Sequence, residues 1–62
     1  MKILIYTTQI CPYCVAAKNL FIDKSLSFDE IHVENDPTLR AEMERLSGQQ
    51  TVPQIWISGS HV

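Results

Sequence analysis

Clustered charge, long apolar stretches and a repeated cysteine pattern are all missing from this 62-residue chain. Five Lys and Arg stand against seven Asp and Glu, for a net charge of −2 and no basic run. Binding a phosphate backbone needs grouped cations that displace counterions, so nucleic acid is disfavoured as a partner. Nothing approaches the ~20 apolar residues of a membrane span, which removes a membrane from the expected partners. The opening MKILIY has a charged start and an apolar centre. Thr7, Thr8 and Gln9 end it after about four residues, short of the seven or more of a secretory signal. No repeat, low-complexity tract or linker interrupts the chain. Only two cysteines occur, Cys11 and Cys14. Structural zinc takes four ligands, and one Cys-x-x-Cys supplies half of them. His32 points off a strand and His61 sits at the chain end, so neither completes the set, and no metal is expected. With no export signal the expected location is the cytoplasm, where a permanent disulfide staple is not sustained; the two thiols then read as redox chemistry.

What is present suits one small α/β domain. Hydrophobic residues make up 45% and charged residues 19%, enough apolar side chains to offset the entropy of ordering. Ile3 to Tyr6 form a continuous apolar run, as expected of a central strand covered on both faces. From Pro12 to about Asp23 the sequence suits a helix, with Pro at the first position and Ala16, Ala17, Leu20 and Phe21 at helical spacing. SFDEIHVE alternates, Ile31 and Val33 on one side and Glu30, His32 and Glu34 on the other, and reads as a strand near an edge. In NDPTLRAEMERLSG, Asp36 is the N-cap, Pro37 opens the first turn and Gly48 stops the helix; Leu39, Met43 and Leu46 form the buried stripe. QIWIS is a third strand, followed by Gly59 and Ser60 as a hairpin turn. The first βαβ unit predicts parallel strands.

Cys11 lies just before Pro12, where the unpaired N–H groups of Tyr13 and Cys14 and the positive end of the helix dipole face its sulfur. A thiol attacks as its thiolate, and a helix start favours the anion. Lys18 adds positive charge from further along the same helix. Cys14, one turn in and less exposed, is placed to resolve a mixed disulfide formed at Cys11.

With Tyr6, the CPYC of Cys11 to Cys14, Arg40 on the second helix, TVP at Thr51 to Pro53 and the strand QIWI after it, the sequence resembles a dithiol glutaredoxin over essentially its whole length. CxxC is shared by many thioredoxin-like proteins; CPYC followed by TVPQ is far more specific. The resemblance implies a thioredoxin-like fold and a glutathione-dependent thiol–disulfide oxidoreductase with no permanently bound cofactor, glutathione being the co-substrate. It implies that Cys11 takes the glutathionyl sulfur, that Cys14 resolves, that Tyr13 borders the tripeptide and that the Thr51–Val52 backbone pairs with it. Arg40 is implied to reach the glycyl carboxylate, and Val52–Pro53 to be cis. Glutathionylated proteins and protein disulfides such as that of ribonucleotide reductase are the implied substrates.

Two departures from the family pattern shape further expectations. Thr8 stands where a Lys or Arg is common, offering a hydroxyl but no charge, so Arg40 is expected to carry more of the carboxylate recognition. The family's fourth strand, Gly-Gly turn and third helix lie beyond Val62, so residues 1–62 are expected to be the N-terminal part of the domain. That expectation leaves an open apolar edge at Ile55 to Ile57, which invites self-association. Three other readings compete. One is a thioredoxin-like reductase served by a flavoprotein, which Arg40 and TVP disfavour. Another is an iron–sulfur carrier ligated by Cys11 and glutathione, which Pro12 disfavours by stiffening the loop. The last is an inactive binding module.

Overall fold

The computed structural model describes residues 1–62. Its order is β1 (Ile3–Thr7), α1 (Pro12–Asp23), β2 (Asp29–His32), α2 (Pro37–Ser47), β3 (Gln54–Ile57) and β4 (Ser60–His61). The sheet runs β2-β1-β3-β4, with β1 parallel to β2 and antiparallel to β3. β1 is therefore central, as its unbroken apolar run requires. Successive side chains of a strand point to opposite faces, and the core divides accordingly. Ile3 and Ile5 pack with Phe21 of α1 and with Ile55 and Ile57. Tyr6 packs with Val33 and with Met43 of α2, backed by Leu4, Leu39, Val52 and Trp56. The two helices thus cover opposite faces, α1 on one and α2 on the other.

Both helices start on the expected signals. Pro occupies the first turn of each, and Asp36 caps α2 by accepting from the Leu39 N–H at 3.0 Å. Gly48 ends α2 at φ 71°, a left-handed position that glycine adopts without a Cβ penalty.

Several expectations need correction. In α1 only Cys14 and Phe21 are buried, while Leu20 is 52% exposed. A 12-residue helix over a narrow sheet presents a single row to it, and Leu20 lies beside that row. Leu46 is likewise exposed, leaving Met43 as the buried centre of α2. It borders an open groove of about 240 Å³ between Leu4, Tyr6 and Trp56.

The hairpin turn sits at Ser58–Gly59, one residue earlier than the sequence suggests, because Ile57 pairs with Ser60. Both turn residues have positive φ, 51° and 85°, the twist that two-residue hairpins favour. The expected start of the hairpin is thus present as a two-residue strand. Ser60–His61 pairs with β3, and the Val62 N–H donates to the Ile55 carbonyl at 2.9 Å. The β3 edge expected to lie open is thus paired, which removes that ground for self-association. No helix is long and apolar enough to cross a membrane.

Candidate active site

The β1–α1 turn delivers Cys11 to the N-cap of α1. Its backbone is extended, φ −148° and ψ 105°, so the side chain folds back over the first turn and accepts from the Cys14 N–H at 3.2 Å. Ser, Thr, Asp or Asn usually fills this role. With a sulfur as the capping acceptor, the donors of the first turn strengthen as the thiol becomes a thiolate. The Cys11 thiol is accordingly held below its ordinary range, first by a hydrogen bond from the Cys14 side chain, against some desolvation, and further by the Cys14 and Tyr13 backbone N–H groups.

Cys14 moves the other way. Burial, and then its role as donor to Cys11, push its thiol up to about 11, while the Thr8 backbone and the charge of Lys18 oppose the rise. Cys11 is half-buried and Cys14 fully buried, both as free thiols. The pair is therefore asymmetric: an accessible sulfur whose ionisation its surroundings favour and a covered one whose ionisation they oppose.

Around Cys11 the surface is apolar and open. Ile10 is 92% and Tyr13 77% exposed. The Thr51–Val52–Pro53 loop faces the cysteine, with the Cys11 Sγ 3.9 Å from the Val52 carbonyl and the Val52–Pro53 bond cis as expected. The Val52 N–H has no backbone partner. Arg40 reaches the same loop from α2, Nη2 donating to the Gln50 carbonyl at 2.7 Å, and its Nε lies 3.8 Å from Glu44.

Cys11, Pro12, Tyr13, Thr8 and the Thr51–Pro53 loop are thus gathered at one end of the sheet, and Arg40 reaches the same loop at Gln50. Lys18 brings its positive charge to the buried thiol of the pair and is itself tied to β2, its Nζ bonding Glu30 Oε2 at 2.8 Å. Glu30 was expected only as an outward residue of an edge strand. It also accepts from the fully buried Thr7 hydroxyl at 2.7 Å. Burial pushes its carboxyl up, but the hydrogen bonds and charge of Lys18, together with Thr7, bring it below the ordinary carboxylate range. The sequence signal was available, since Thr7 ends β1 and Glu30 lies on the neighbouring strand, but only their register reveals it. No three His, Cys, Asp or Glu side chains converge on a common point.

Comparison with known proteins agrees with this arrangement. The glutaredoxin family model matches residues 3–62. A glutaredoxin of Pseudomonas aeruginosa is 52% identical over 60 residues, covering 97% of this chain and 71% of the relative. The solution structure of a Brucella melitensis glutaredoxin superposes with a TM-score of 0.84 at 47% identity, over 100% of this chain and 67% of that one. A buckwheat glutaredoxin–glutathione complex superposes with a TM-score of 0.85 at 26% identity, over 95% of this chain and 56% of that one. A readily ionised cysteine capping a helix, with its partner thiol one turn behind, is what thiol–disulfide exchange requires, and the chain belongs to the glutaredoxin family, a family of thiol–disulfide oxidoreductases on a thioredoxin-like fold.

Proposed function

We propose that this chain is a glutathione-dependent oxidoreductase that reduces glutathionyl mixed disulfides and protein disulfides in a reducing, cytoplasmic setting. The observation that carries the reading is the loop beside Cys11, where the Val52 N–H is unpaired and the Val52 carbonyl meets only the Cys11 sulfur. An extended peptide can add to such a segment by main-chain hydrogen bonds, and glutathione is an extended tripeptide. The buckwheat relative solved with glutathione supports the same ligand class.

The Cys11 thiolate attacks the glutathionyl sulfur of a mixed disulfide. The old S–S bond breaks, the substrate leaves as its thiolate and takes a proton, and a Cys11–glutathione disulfide remains. A second glutathione thiolate then attacks the glutathionyl sulfur, releasing oxidised glutathione and restoring the Cys11 thiolate. For a protein disulfide, the Cys11 thiolate attacks one sulfur and the other leaves as a thiolate that takes a proton. Cys14 then loses its proton and attacks the Cys11 sulfur of the mixed disulfide, the second substrate thiolate departs and is protonated, and a Cys11–Cys14 disulfide forms for two glutathiones to reduce. Thr51 and Val52 align the tripeptide backbone and Tyr13 borders it. Arg40 offers its remaining guanidinium donors to a carboxylate, and the Thr8 hydroxyl assists without charge.

Turnover of a glutathionylated peptide with glutathione as reductant should exceed turnover with a flavoprotein thioredoxin reductase by about tenfold or more in kcat/KM. Equal service by the two reductants, or preference for the flavoprotein, would contradict the reading.

A further inference from the structure

Of three consecutive carbonyls of the loop beside Cys11, two are held by side chains from different elements and the third faces the Cys11 sulfur. Arg40 of α2 donates to Gln50 at 2.7 Å, Gln54 of β3 donates to Thr51 at 2.8 Å, and Cys11 at the start of α1 lies 3.9 Å from the Val52 oxygen. The middle tie is the most deeply placed. Gln54 is only 7% exposed, and its Nε2 bonds both the carbonyl and, at 3.3 Å, the hydroxyl of Thr51.

A carbonyl can only accept, so the nitrogen of the Gln54 amide must face Thr51 and its oxygen must face away. That oxygen lies 2.7 Å from His61 Nε2. It too can only accept, so His61 carries a proton on Nε2 and donates it. The imidazole is held in turn by the Trp56 ring, 4.8 Å away between centroids and tilted by 34°. The relay thus runs from β4 through Gln54 to Thr51, with every donor matched to an acceptor. Neither residue touches Cys11, and thiol exchange itself requires neither.

We propose that Gln54 and His61 are positioning residues for substrate: together they fix the Thr51 carbonyl inward, so that the Thr51–Val52 backbone is presented in one orientation to the peptide moiety of glutathione. This rests on the glutathione reading above. Without the relay the exposed Thr51 peptide unit is free to rotate, and substrate binding must then supply the ordering. The cost falls on binding, whereas the chemistry at Cys11 is untouched.

The test uses the full chain with one peptide carrying either a glutathionyl or a 2-mercaptoethanol mixed disulfide. Gln54→Glu keeps an acceptor for His61 but sets a carboxylate against the Thr51 carbonyl. It should raise KM for the glutathionyl substrate about tenfold, with kcat changed by less than about twofold. His61→Phe preserves the stacking on Trp56 and removes only the donor, for an expected rise of about threefold. As His61 is exposed at the sheet edge, this variant keeps the test decisive if Gln54→Glu fails to fold. Turnover of the 2-mercaptoethanol substrate and the alkylation rate of Cys11 by iodoacetamide should match wild type in both.

Unchanged KM in the folded variants, or a parallel fall in KM selectivity, kcat and Cys11 alkylation, would overturn the positioning role alone. A wild-type protein that does not prefer the glutathionyl substrate would overturn the glutathione reading and this inference with it.

Discussion

Replacing Cys11 by serine removes turnover of every disulfide substrate, by at least about a thousandfold, because the hydroxyl has no accessible anion at neutral pH and cannot form the mixed disulfide. Cys14→Ser has a different outcome. The serine hydroxyl can still donate to the Cys11 sulfur, and the Cys14 N–H that caps the thiolate at 3.2 Å belongs to the backbone. On the glutathione mechanism proposed above, reduction of a glutathionylated peptide should therefore persist within a few-fold of wild type, since a second glutathione clears Cys11 without Cys14. Reduction of a protein disulfide should fall sharply, because no second thiol is left to close on Cys11. Steady-state rates on the two substrate types, measured side by side, separate the roles. Equal loss in both variants on both substrates would contradict the asymmetry.

The second large effect is on stability. Met43 is 0% exposed and joins Tyr6, Val33, Leu39, Val52 and Trp56 on the α2 face of the sheet. Truncating a buried methionine to alanine costs about 2–5 kcal/mol through lost burial and the cavity left behind. Domains below about 70 residues rarely have more than about 3–5 kcal/mol to lose. Met43→Ala should therefore be substantially unfolded at room temperature, seen as a large fall in the urea midpoint or as no cooperative transition. Leu20→Ala, at the exposed flank of α1, should shift stability by no more than about 0.5 kcal/mol. Comparable effects from the two substitutions would contradict this division of the core. The same cluster backs Val52, in the loop beside Cys11.

Local signals in the chain were sufficient for most of this architecture. Asp36, Pro37 and Gly48 mark α2 because capping is a matter of adjacent residues. The apolar run of β1 identifies the central strand because both of its faces are covered. Cys11 at a helix start is legible for the same reason, since donors, dipole and sulfur all lie within one turn. The misplaced features depend on pairing across the chain. Leu20 and Leu46 fit helical spacing, but which row of a helix meets the sheet is decided by its packing partner. Glu30 alternates outward like any edge residue, and only the parallel register of β2 on β1 brings it to Thr7 and Lys18. Gln54 and His61 gave no local sign of contact, being joined by the register of a two-residue strand. The residues around Cys11 were readable, and Arg40 with them; the Gln54 and His61 contacts behind Thr51 were not.

The decisive measurement is a pH titration of the two thiols in the reduced wild-type protein, followed by ultraviolet thiolate absorbance, with Cys11→Ser to assign the waves. Two separated ionisations are expected, that of Cys11 below the ~8.5 of free cysteine and that of Cys14 far above it, near 11. Cys11→Ser should remove the lower wave alone. A single wave of two thiols near the free-cysteine value would contradict a sulfur held as an anion by the first turn of α1.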